Sequence, residues 1–72
     1  MDRSTDDLVK IVAAGGGLIV DAEAKSTDEL IKIANAAAES EAFVTMRKVG
    51  EKNTDELIKI AVAGDGAVIF EL

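Results

Sequence analysis

Three stretches of this chain place apolar residues at i, i+1, i+3 and i+4: Leu8, Val9, Ile11 and Val12; Leu30, Ile31, Ile33 and Ala34; and Leu57, Ile58, Ile60 and Ala61. At 3.6 residues per turn these positions make one wide apolar face, and Lys10, Lys32 and Lys59 fall outside it. The same polar signature precedes each face. Ser4, Ser26 and Asn53 stand at the N-cap position, with Asp7, Glu29 and Glu56 three residues on. The cap side chain can accept from an orphan N–H, and the two glutamates can reach back to the cap. Asp6, Asp28 and Asp55 lie in the first turn, where the helix dipole favours acids, each four residues ahead of a lysine. Helices are predicted over 4–14, 26–39 and 53–63. The first stops at Gly15-Gly16-Gly17, the second at Ser40-Glu41 and the third at Gly64-Asp65-Gly66, glycine being free to take a left-handed C-cap conformation.

Between the helices the period changes to two. Residues 17–23 set Leu18, Val20 and Ala22 against Ile19, Asp21 and Glu23. Residues 42–48 set Ala42, Val44 and Met46 against Phe43, Thr45 and Arg47, and 67–72 set Ala67 and Ile69 against Val68, Phe70 and Leu72. The chain therefore reads α-β-α-β-α-β, a single domain of three internal repeats, about 4–25, 26–52 and 53–72, behind a short frayed lead-in at 1–3.

Strands joined through a helix run parallel, and such crossovers are right-handed. Homologous units stack most simply in the order 1-2-3, which predicts a two-layer α/β fold with a three-stranded parallel sheet and every helix on one face. The bare face is then expected to carry Ile19, Phe43, Val68, Phe70 and Leu72 among Asp21, Glu23, Thr45 and Arg47. The alternative is a small doubly wound sheet of order 2-1-3, covered on both faces. It would make strand one central, where Asp21 and Glu23 are out of place. The spacing of the caps loosely resembles that of leucine-rich solenoid repeats, but the Leu-x-x-Leu-x-Leu-x-x-Asn pattern is missing and no family is assigned.

Composition narrows the partners. A domain of 72 residues buries only about 60% of its unfolded surface. Without Cys or His, neither disulfides nor the usual zinc sites can support it, which leaves idealised packing or association. The formal charge is −6, with eight basic residues scattered among fourteen acids, so no nucleic-acid partner is expected. The longest apolar run, 11–20, contains three glycines and is about half the ~20 residues a membrane span needs. A soluble protein is predicted, cytoplasmic if natural, with no membrane partner.

Candidate chemistry is sparse. The glycine clusters lie between a helix end and the next strand, whereas phosphate loops lie between a strand and a helix start, and no Gly-Lys-Ser/Thr occurs. The helix starts would meet at the carboxyl edge of the sheet, but Asp28, Glu29, Asp55 and Glu56 repel anions there, and no calcium-loop pattern accompanies them. Triads based on His or Cys cannot be built. No catalytic, cofactor or metal residues are assigned, and no cofactor is expected. Ser4, Ser26 and Asn53 are read as structural caps, and Phe43 and Phe70, the only aromatics, as apolar anchors. The function expected is a non-catalytic protein-interaction or homo-oligomerisation module, with a homodimer or another protein as partner. Two alternatives are an engineered or dissected repeat scaffold without biological activity, and a small anion-binding domain or enzyme acting at the helix starts.

Overall fold

The computed structural model describes residues 4–72, so the lead-in expected over 1–3 lies outside the described residues. Its elements run α1 (Thr5–Ala13), β1 (Leu18–Asp21), α2 (Thr27–Ser40), β2 (Val44–Arg47), α3 (Thr54–Gly64) and β3 (Val68–Phe70), with one 3-10 turn at Ala22–Ala24. The sheet order is β1-β2-β3, all parallel, with Leu18 opposite Val44 and Val44 opposite Val68. This is the two-layer arrangement, not the doubly wound one. α2 packs between α1 and α3 over the sheet.

Local chemistry accounts for the helix starts. Ser4 accepts from the Asp7 N–H at 3.2 Å, Ser26 from Glu29 at 3.2 Å and Asn53 from Glu56 at 2.8 Å. The reciprocal bond back to the cap forms in α2 and α3, whose third residue is glutamate. α1 carries Asp7 there, one methylene shorter. All three helix ends use a left-handed residue, and in two of them the N–H after it bonds back to the carbonyl five residues earlier: Gly15 (φ +99) with Gly16 N–H to Ile11 O at 3.1 Å, and Glu41 (φ 60) with Ala42 N–H to Ala37 O at 3.1 Å. The third ends at Asp65 (φ 45), outside the helix, while Gly64 remains within it. The Asp–Lys pairs one turn apart do not close to ion-pair distance. Among the described residues the one ion pair is Arg47 to Glu71 at 3.3 Å, on the surface.

The core lies between the helices and one face of the sheet. Leu8, Val12, Leu30, Ile33 and Ile60 enter it from the helices, and Val20, Val44 and Met46 from the strands. Val49, in the loop before α3, is also buried. Strand one is shorter than predicted, because the chain turns at Ala22 to climb to α2, which takes Glu23 off the sheet.

Strand three requires a correction. Val68 and Phe70, expected on the bare face, lie on the helix side and pack against the core, and Leu72 falls beyond the strand. Ile69 takes the bare face instead, in register with Thr45. The selecting feature is Gly64: its missing side chain opens a slot in α3 that the Val68 side chain fills.

Candidate functional site

Two surfaces present arranged side chains: the edge where the helices begin, and the sheet face without helices. At the helix edge each capping glutamate serves two helices. Glu29 Oε1 accepts from the Ser26 N–H at 3.0 Å, while its Oε2 accepts from the Thr5 hydroxyl of α1 at 2.7 Å. Glu56 repeats this one helix on, with the Asn53 N–H at 3.1 Å and the Thr27 hydroxyl at 2.8 Å. Lys25 Nζ donates to Thr5 Oγ1 at 3.1 Å, and Lys52 Nζ donates to the Lys25 carbonyl at 3.0 Å. Ser4, Ser26 and Asn53 are thus occupied as caps, and Thr5 and Thr27 link neighbouring helices.

These bonds hold the carboxylates in their charged form. The backbone N–H of Ser26, then the Thr5 hydroxyl, lower the Glu29 pKa from 4.5 to about 2. The Asn53 N–H and the Thr27 hydroxyl lower that of Glu56. A carboxyl displaced in this direction is a poor general acid near neutrality. No group of three or more metal-ligating side chains occurs among the described residues. The ladder also has a pH signature. A depressed folded-state pKa gives stabilisation that is complete above the ordinary value of 4.5 and is lost as pH falls towards about 2. Glu29→Gln is therefore expected to flatten the acid limb of the stability profile across that window, as measured by urea unfolding at a series of pH values. A variant whose acid limb kept the wild-type slope would show that the charge-assisted bonds of Glu29 to Ser26 and Thr5 contribute nothing.

On the sheet face the residues lie in rows. Ile19, Thr45 and Ile69 are in register across the three strands, and Asp21 stands opposite Arg47, which donates to Glu71. Phe43 stands at the amino end of β2. Ile19, Phe43 and Ile69 are 60%, 62% and 52% exposed and lie together on one face. Beside Phe43 lies an open depression lined by Ala38, Glu41, Ala42, Asp65 and Gly66, whose two carboxylates make it unsuited to an anion. Of the five residues expected at an interface, Ile19 and Phe43 occupy this face, Val68 and Phe70 do not, and Leu72 is exposed past its edge.

Among the described residues no helix is long and apolar enough to cross a membrane. No family model, curated protein or solved structure matches the chain.

Proposed function

We propose that the chain is a non-catalytic protein-interaction module that pairs with a second copy of itself through the helix-free face of its sheet. The observation that carries this reading is the exposure of Ile19, Phe43 and Ile69 together on that face. Closed twofold pairing is the commonest way for such a face to be covered. Burying one large apolar side chain contributes roughly 1.5–3 kcal/mol, offset in part by the freedom lost on association. Asp21, Arg47 and Glu71 border the apolar row and would set the orientation of the two sheets.

The chain has no cysteine, so Thr45→Cys places a single thiol in the middle of the face. Facing sheets lie about 10 Å apart, within reach of a short bis-maleimide. Covalent dimers are expected from Thr45→Cys and not from Asp28→Cys, on the exposed side of α2. Adding Phe43→Asp should abolish the cross-link while leaving the helical circular dichroism unchanged. Absence of cross-linking in Thr45→Cys at millimolar chain concentration would overturn the proposal.

A further inference from the structure

The two ends of the helix layer are complementary. Each helix carries one ridge directed at the helix after it and another directed at the helix before it. The forward ridge includes Thr5 and Val12 in α1, Thr27 and Ala34 in α2, and Thr54 and Ala61 in α3. Val12 and Ala34 are 0% exposed within the core, whereas Ala61 is exposed. The backward ridge includes Ile33 in α2 and Ile60 in α3, both 0% exposed, and Ile11 in α1, which is 38% exposed. Ile58 extends the open forward ridge and is 53% exposed.

Stacked repeats ordinarily end in units with a polar outer face. Neither end does so here. Ile11 is the same residue type as its buried counterparts, and Thr54 repeats the threonine that binds a glutamate in α1 and α2. Among the described residues the Thr54 hydroxyl has no partner, since no helix packs against that side of α3. The strands beneath are open in the same sense: β1 and β3 are the sheet edges, and neither contains the lysine or proline that commonly protects an edge.

We infer that α3 and β3 of one copy dock against α1 and β1 of a second copy, continuing the stack head to tail. The contacts follow from those within the chain. Leu18 N–H donates to Phe43 O at 3.3 Å and Val44 N–H to Ala67 O at 2.9 Å, so Val68 N–H would donate to Gly17 O of the second copy. The Thr54 hydroxyl would donate to the Asp7 carboxylate, and Ala61 would pack on Ile11. Such an interface joins unlike surfaces and does not close on itself, so it extends with concentration.

The test is made in Phe43→Asp, which removes the sheet-face contact proposed above. Sedimentation of this parent is expected to show an average mass that rises with concentration beyond twice that of the chain. Ile58→Glu with Ala61→Glu blocks the forward end, and Ile11→Glu blocks the backward end; all three residues are exposed. Neither blocked chain should associate alone. Their mixture should form a complex of twice the chain mass that grows no further. Asp7→Glu supplies the missing methylene and should tighten association in the unblocked parent severalfold, a gain that Thr54→Val removes. A parent that stays monomeric, a blocked chain that still assembles, or a mixture that does not pair would each overturn the inference. None of these results affects the Thr45→Cys cross-link, so the two contacts stand or fall separately.

Discussion

Replacing Leu30 with Ala is expected to lower the unfolding free energy by roughly 2–5 kcal/mol, the range for deleting a fully enclosed leucine side chain. Leu30 is 0% exposed and belongs to α2, the one helix with a neighbour on each side and the sheet beneath. Its surroundings have little freedom to close a cavity. β2, also central, supplies Val44 and Met46 at 0% exposure, and both neighbouring helices are held by bonds to α2. At about 0.05–0.15 kcal/mol per residue, a domain of this length holds roughly 4–11 kcal/mol in total. The single change therefore removes a large share of the stability and should lower the unfolding midpoint markedly. Chemical denaturation of Leu30→Ala beside Lys32→Ala, on the exposed side of the same helix, makes the measurement. The control should stay within about 0.5 kcal/mol of wild type. A Leu30→Ala loss no larger than that would mean that the layer between helices and sheet is not the stabilising core.

Gly64→Ala is the second substitution with a large expected effect, and its sign runs against helix propensity. Alanine in place of glycine within a helix ordinarily gains up to about 1 kcal/mol. Here the added Cβ would collide with Cγ2 of Val68 and sit 3.3 Å from its Cβ and 3.5 Å from the Cβ of Ala34. Val68 cannot easily move aside: it is β-branched and pairs with Val44 in the sheet. Overpacking of this kind costs about 1–3 kcal/mol, so net destabilisation is expected. Val68→Ala should restore part of the loss in Gly64→Ala while destabilising the wild type, a coupling that a double-mutant cycle reads directly. Gly50→Ala serves as the control, since a Cβ there meets nothing within 4 Å. If the two substitutions added without coupling, the slot in α3 would not be what orients strand three.

These residues also show how far the fold was legible in the chain. The caps, the apolar faces and the alternation of β1 and β2 each point one way, and together they yielded the element order and the 1-2-3 sheet. Strand three did not, because Ala67 and Ile69 on one side and Val68 and Phe70 on the other are all apolar. Period-two alternation selects a face only when one side is polar. The selecting signal lies outside the strand, in Gly64, whose local context beside Asp65 and Gly66 points only to a helix end. The cross-helix ladder was missed for a different reason. Capping accounts for Glu29 and Glu56 through one carboxylate oxygen each, and nothing local shows that the other oxygen is in use. The recurrence of threonine at the first position of all three helices was the available clue.

The shared glutamates make the helices interdependent in a way that burial alone does not. When α2 opens, it gives up its own reciprocal cap and deprives Thr5 of an acceptor, while Glu56 loses the hydroxyl that occupies its outer oxygen. Opening one unit therefore weakens the start of its neighbours, a nearest-neighbour coupling carried by polar groups at the rim of the layer. Such coupling raises the cost of boundaries between ordered and disordered units, and backbone-amide exchange is expected to follow the whole array rather than each helix in turn.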